Sequence, residues 1–351
     1  RDCVMKKILF FLLLTSFCYS QDFRLSALSI SKELTENANS VVRDQKLEID
    51  ISSLNQMQIK KKKIISVLNS KGLNNVDAVE YYDKSTKVKL IEATIYNSYG
   101  EEIKKINKAN EIIIKLYKEV LPKYVKVGVS TYELDKITED FIRSNGAIPG
   151  TKGYDIGKPY PPYPASLCAS VNNRVVHGIP TKTEILKNGD IISLDTVTVL
   201  DGFYGDAAIT LPVGEIDENA KKLLEVTEKA REIGIAQAIV GNRVGDISAA
   251  IQEYVESFGF SLVRDFAGHG VGKSMHEDPM VPNYGKQGTG AKIENGMVIA
   301  IEPMVNEGVY QVRVLPDMWT VITKDGKRSA HFEYSVAIID GKPVKLGLGA
   351  L

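Results

Sequence analysis

From about residue 101 onward the apolar positions fall into regular periods. Ser130-Thr131-Tyr132-Glu133 has the Ser-to-Glu spacing of a helix capping box, and Leu134, Ile137 and Phe141 follow at helical spacing. Asn145-Gly146 then supplies a stop. A second helix is predicted from near Asp217, carrying Leu223, Leu224 and Ala230 inward, and a third from Asp246 to about Phe258, before Gly259. Apolar, strand-like runs occupy 190–200, 203–213 and 297–305. Helices interleaved with hairpins predict an α+β fold rather than a parallel doubly wound sheet.

The first hundred residues pattern differently. Residues 5–20 read as a secretory leader: Lys6 and Lys7 are basic, residues 8–14 form an apolar run too short to span a bilayer, and Cys18-Tyr19-Ser20 places small residues where a signal peptidase inspects. Arg1 to Val4 precede the first methionine. Residues 49–54 and 86–95 lean toward strand, residues 97–100 toward turn, and Lys60-Lys61-Lys62-Lys63 toward a solvated charged face. The expected division is a leader over 1–20, a segment over 21–100 with no chemical constellation and foreign to the rest of the chain, and one domain over 101–351.

That domain contains an internal repeat. Asn188-Gly189-Asp190-Ile191-Ile192-Ser193-Leu194-Asp195 aligns with Asn295-Gly296-Met297-Val298-Ile299-Ala300-Ile301-Glu302. Each is an Asn-Gly turn, an apolar strand and a terminal carboxylate, and each comes after a His-Gly-aliphatic triplet, His177-Gly178-Ile179 or His269-Gly270-Val271. Two related half-domains facing one shared site are expected. The period is too long for a solenoid.

Asp201-Gly202 is a hairpin signal. Closing there pairs Leu200 with Phe203, sets Asp195 opposite Ala208, and leaves Asp206 diagonal to Asp195 on the same face. Diagonal neighbours lie about 7–8 Å apart by backbone and closer at their side chains. Carboxylates at that range repel unless a cation intervenes. An exposed turn acid is the ordinary reading of an Asp beside Gly, but Asp195 and Glu302 each end a strongly apolar run, where a lone charge is costly. Metal binding is the better account.

Composition narrows the rest. The chain has 351 residues, 44% apolar and 25% charged, with a formal net charge of zero. Balanced charge gives no support for nucleic acid as the partner. Of three cysteines, Cys3 and Cys18 lie in or before the leader, so Cys168 has no internal partner. There are four histidines, His177, His269, His276 and His331. No Cys-x-x-Cys pair or His-Glu-x-x-His motif is present, which argues against zinc-finger and zincin sites.

Five segments together resemble type I methionine aminopeptidases of the pita-bread fold. They are Ser170-Val171-Asn172 with His177-Gly178-Ile179-Pro180; Leu194-Asp195 through Asp201-Gly202 to Gly205-Asp206; Gly268-His269-Gly270-Val271-Gly272 with His276-Glu277-Asp278-Pro279; Ile301-Glu302-Pro303-Met304; and Phe332-Glu333. The resemblance spans roughly residues 101–345. It implies two pseudo-symmetric halves of antiparallel strands with covering helices around a dinuclear site. Asp195, Asp206, His269, Glu302 and Glu333 would hold two divalent cations, cobalt, manganese, iron or zinc, with Asp206 and Glu333 bridging. A bridging water or hydroxide would attack the scissile carbonyl, with Glu302 as proton acceptor, His276 stabilising the oxyanion and His177 contacting the scissile amide. Tyr160, Tyr163, Cys168, Met275 and Trp319, with His177 and His276, would bind the substrate's methionine. His331 takes no role from the family and is read as structural.

The resemblance further implies substrates with a small second residue, N-terminal methionine peptides and nascent polypeptides as partners, ribosome association, a monomer, and a cytoplasmic location that conflicts with the leader. No nucleic acid and no membrane span are expected. Two departures stand out: Gly157 to Pro164 is longer and richer in proline than the family's segment, and Asn173 stands where glutamate is common. Only 33 positions separate His269 from Glu302, too few for the insertion of type II enzymes. An aminopeptidase P or prolidase-like enzyme shares the five ligands and is the alternative within enzymes. The alternative from another class is a non-catalytic pita-bread binding module.

Overall fold

The computed structural model describes residues 30–53, 56–69, 71–72, 76 and 103–348. In the N-terminal segment a single helical turn, α1 (Lys32–Thr35), precedes a hairpin of β1 (Ser40–Ser53) and β2 (Gln56–Val67). Its register sets Glu48 opposite Lys60, and Lys60 to Lys63 are exposed, as a solvated charged face should be. Leu47, Ile49, Ile51 and Ile59 are exposed as well. Of the strand expected over 49–54, residues 49–53 belong to β1 and Leu54 lies outside the described residues. The expected strand at 86–95, the turn at 97–100 and the leader at 5–20 lie outside the described residues.

From residue 103 the chain folds as two halves of similar make-up. In the first, α2 (Ile103–Lys115) and α3 (Thr131–Ser144) accompany β3 (Ile148–Pro149), β4 (Cys168–Val171), β5 (Arg174–Val176), β6 (Ile191–Leu200) and β7 (Phe203–Pro212). In the second, α4 (Glu218–Gln237) and α5 (Val244–Glu256) lead into β8 (Ser261–Leu262), β9 (Ala267–Gly270), β10 (Glu277–Pro282), β11 (Val298–Ile301) and β12 (Met304–Asn306). The chain ends with β13 (Val312–Val314), β14 (Val321–Thr323), β15 (Ser329–His331), β16 (Tyr334–Ile339) and β17 (Lys342–Lys345).

Every strand pairing is antiparallel. One sheet holds β3, β6 and β4 with β7 on β6; a second runs β10-β9-β11-β16-β17. Each carries its own apolar core. Leu134, Leu167, Ile192, Leu194 and Ala207 pack in the first half, and Leu223, Ile247, Ile251, Ile299 and Ile301 in the second. This is the α+β arrangement in two halves that the sequence led us to expect.

The helices start where side chains can satisfy free N–H groups. Ser130 caps α3 through the full capping box with Glu133, and the Asp217 carboxylate accepts from the Ala220 N–H at the start of α4. The third predicted helix begins earlier than expected. Its first residue is Val244, because the Asp246 carboxylate, in the third helical position, accepts from the Arg243 N–H. The run at 297–305 is likewise not one strand. It breaks at Glu302-Pro303 into β11 and β12, proline having no N–H to give to a ladder.

Candidate active site

The Asp201-Gly202 turn closes the β6–β7 hairpin with both residues at positive φ, the conformation a two-residue loop of this kind requires. Leu200 pairs with Phe203, Asp195 with Ala208 and Val197 with Asp206. The two aspartates are thus diagonal neighbours on one face, as the spacing predicted. In the second half the Asn295-Gly296 turn leads into β11 and delivers Glu302 just past its end, matching Asn188-Gly189 ahead of β6. Gly189 and Gly296 share the same left-handed backbone, at φ 94° and 86°.

His269 sits on β9 between two glycines whose size is dictated by neighbouring backbone. A Cβ on Gly268 would lie 2.3 Å from the Ala300 carbonyl oxygen, and one on Gly270 would lie 2.3 Å from that of Asp278. The close packing fixes the imidazole. His269 Nδ1 is 2.9 Å from the Gly270 carbonyl, to which its N–H donates, leaving the lone pair on Nε2. That nitrogen lies 3.5 Å from Glu302 Oε1 and 3.8 Å from Asp206 Oδ2.

Two backbone-level contacts draw the halves together. The Glu333 N–H donates to the Ala208 carbonyl at 2.9 Å, and the Ser335 hydroxyl donates to the Asp206 carbonyl at 2.8 Å. Glu333 is thereby carried beside Asp206. Asp206, His269 and Glu333 form one group whose donor atoms all lie within 4.8 Å of one another; Glu302, His331 and Glu333 form a second, sharing Glu333. Asp195 belongs to neither group but lines the same cavity as Asp206, His269, Glu302 and Glu333.

Burial dominates the electrostatics. It raises Asp195 to about 6, with Glu302 adding and His331 opposing, and it raises Glu302 to about 7 against His269. Asp206 and Glu333 are pushed well above the usual carboxylate range by burial and by the neighbouring acids. Burial also lowers His269, His276 and His331, and takes His177 down to about 4. Two buried acids, Asp206 and Glu333, and two half-buried ones, Asp195 and Glu302, beside imidazoles whose charging is disfavoured form a site short of positive charge. Divalent cations supply that charge and reverse the cost of ionising the acids. The donors are mostly carboxylate oxygens, a harder set than structural zinc prefers.

The acids face a cavity of about 180 Å³. That is smaller than the roughly 300–1,000 Å³ of sites enclosing a whole drug-sized ligand, so it suits a single side chain. Tyr163, Cys168, Met275 and Trp319 line it, with His177 and His276. The Trp319 ring meets Tyr163 edge-on at 5.3 Å and His177 edge-on at 6.0 Å. Its Nε1–H donates to the Pro161 carbonyl at 2.8 Å. His177 has φ 58°, a strained value for a residue with a Cβ.

Tyr160 is the exception among the residues expected at the pocket. It is 41% exposed, is not part of the cavity wall, and lies tilted to Trp319 at 6.5 Å between ring centres. The Tyr163 N–H donates to the Tyr154 carbonyl, and the Gly153 N–H donates to the Tyr163 carbonyl. These bonds pinch off residues 155–162 as an excursion, of which Ile156 alone lines the cavity. Tyr154, at its near end, takes the wall position instead. Its hydroxyl lies 2.5 Å from His276 Nδ1. Sequence reasoning also passed over Phe266, edge-on to His177 at 5.6 Å, and His331, which joins the Glu302–Glu333 group. An aromatic at each end of the proline-rich segment was the available signal for Tyr154; none marked Phe266.

The pattern of metallopeptidase family M24 matches residues 104–340. A methionine aminopeptidase of Clostridium acetobutylicum is 50% identical over 247 residues, which cover 70% of this chain and 96% of that protein. The crystal structure of a methionine aminopeptidase from Thermotoga maritima superposes with a TM-score of 0.66 at 42% identity, over 70% of this chain and 96% of its own. A prolidase from Pyrococcus furiosus shares the fold at TM-score 0.54 and 21% identity, over 71% of this chain and 64% of its own.

Proposed function

The chain belongs to metallopeptidase family M24, and from that premise we propose that it is a type I aminopeptidase removing N-terminal methionine from peptides and nascent proteins. The observation that carries this reading is the pair of donor groups sharing Glu333 at the edge of a small apolar and aromatic cavity. The half-identical aminopeptidase relative supports methionine as the residue removed, whereas the prolidase likeness is one of fold alone.

Asp195, Asp206, His269, Glu302 and Glu333 are the residues that would hold two divalent cations. When bound, the cations supply Lewis acidity and an ionised water at neutral pH. The protein's own groups do the rest. The cavity between Tyr163, Cys168, Met275 and Trp319 seats the methionine side chain, whose thioether is well matched to aromatic edges. Glu302, at the end of β11 beside the attacking water, takes up the proton that the water gives up. His276 donates a hydrogen bond to the developing oxyanion, and neutral His177 steadies the scissile amide and its leaving nitrogen. A small second residue fits beside this crowded rim.

From the likeness to methionine aminopeptidases we infer a cytoplasmic reaction on chains leaving the ribosome, carried by residues 101–351 as a monomer. Among the described residues no helix is long and apolar enough to cross a membrane. Intact-mass measurement tests the location: a native chain beginning near residue 21 means export and overturns it. For the reaction, cleavage of Met-Ala-Ser is expected to exceed cleavage of Xaa-Pro peptides. The reverse preference would assign the chain to the prolidase-like branch, and no stoichiometric metal uptake would leave only a binding module.

A further inference from the structure

The proline-rich excursion at 155–162 has no task in the proposed mechanism, although both of its ends are tied to the site. At one end the Tyr154 hydroxyl lies 2.5 Å from Nδ1 of His276. At the other, the Trp319 Nε1–H donates to the Pro161 carbonyl at 2.8 Å, and Tyr163 lines the cavity. The excursion therefore runs from the imidazole proposed to meet the oxyanion to the aromatic wall proposed to seat the methionine. A peptide leaving the cavity for solvent passes along it.

Its backbone is set in advance. Pro159, Pro161 and Pro162 fix φ at three of its eight positions. The Tyr160 N–H donates to the Gly157 carbonyl at 3.1 Å, and the Gly157 N–H donates to Asp155 Oδ1 at 2.8 Å. With one acid and one base, Asp155 and Lys158, the excursion carries no net charge. Its large apolar side chains are turned to solvent: Ile156 is 50% exposed and Tyr160 41%. Because Ile156 lines the cavity as well, it stands at the mouth.

An extended peptide points alternate side chains to one side, about 6.6–6.8 Å apart. The first and third residues of a bound substrate thus face one wall, and the second faces away from it. Trp319 belongs to the methionine wall, and the Tyr160 ring lies 6.5 Å from it between centres, outside the cavity. That step matches the one between the first and third side chains.

We propose that Ile156 and Tyr160 form an apolar shelf for the side chain of the substrate's third residue, favouring aliphatic residues there. The inference rests on the aminopeptidase reading and extends its specificity past the second residue. A shelf already rigid loses little freedom on binding. It touches a part of the substrate remote from the reacting bond, alike in ground and transition states, so its effect falls on KM.

Kinetics on the amides of Met-Ala, Met-Ala-Ser and Met-Ala-Leu test this, the first ending short of the third position. The metal-loaded parent chain is expected to prefer Met-Ala-Leu over Met-Ala-Ser about five- to tenfold in kcat/KM, as half-burying a leucine supplies. In the double variant Ile156→Ser with Tyr160→Ser, checked for folding by circular dichroism, that ratio should fall below about twofold, through KM, with Met-Ala little affected. Equal efficiency toward leucine and serine in the parent overturns the shelf. A loss as large on Met-Ala as on Met-Ala-Leu in the folded variant also overturns it, since the excursion would then only support the methionine cavity. Release of methionine from none of the three by the parent overturns the aminopeptidase reading, and this inference with it.

Discussion

The Tyr154 hydroxyl lies 2.5 Å from Nδ1 of His276, tying the outermost aromatic of the cavity to the imidazole proposed to meet the oxyanion. Burial raises the phenol and lowers the imidazole, so both are neutral near pH 7. With the phenol donating to Nδ1, the ring keeps its proton on Nε2, and it meets the His269 ring edge-on at 4.3 Å between centres. Tyr154→Phe is expected to reduce kcat about fivefold, one hydrogen bond's worth of orientation, and to leave KM nearly unchanged. Steady-state kinetics on a methionyl tripeptide checks the split; a change confined to KM would place Tyr154 in substrate binding alone. His276→Ala should be worse, about 10²–10³ in kcat.

Asp206 lies beside Glu333 and His269 through contacts made by its own strand. Asp206→Asn keeps the shape but removes the anion. Metal analysis of the purified variant should find fewer than two cations per chain, with activity reduced beyond the 10–100-fold typical of outer-shell losses. A full complement of cations in this variant would remove Asp206 from the ligand set.

Trp319 forms one wall of the cavity and is 7% exposed. Trp319→Ala opens that wall, so selectivity for methionine over leucine at the first position should fall by a factor of about 10–200. Comparing kcat/KM for Met-Ala-Ser and Leu-Ala-Ser measures it. Unaltered selectivity would mean that the side chain is read elsewhere.

Cation uptake should depend on pH with a definite sign. In the metal-free chain Asp195 and Glu302 reach about 6 and about 7, so below pH 6 both retain protons that a cation must displace. Affinity is expected to fall as the pH drops from 7 toward 5, and binding at pH 6 should release protons. Calorimetry in buffers of different ionisation heat counts those protons; uptake without release contradicts the raised values.

Gly205 precedes Asp206 where β7 crosses α2, and a Cβ there would lie 2.6 Å from the Asn110 nitrogen. Gly205→Ala should cost about 1–3 kcal/mol of stability by forcing the helix off the strand. Thermal unfolding of the metal-free protein reads this without interference from the site. An unchanged Tm would show that the helix moves freely.

Local signals in the chain determined much of this protein. The Asp201-Gly202 turn dictated the Asp195–Ala208 register, the Ser130–Glu133 box began its helix, and the twin Asn-Gly strands announced two halves, because each depends on residues only a few positions apart. Tertiary structure decided what lies between the halves. Glu333 reaches Asp206 through a bond to Ala208 from a segment more than a hundred residues away, and His331 is bound to Thr210, a partnership no spacing encodes. The choice of Tyr154 over Tyr160 was likewise made by two backbone bonds closing a loop, because which aromatic faces inward depends on where the excursion is pinned rather than on its composition.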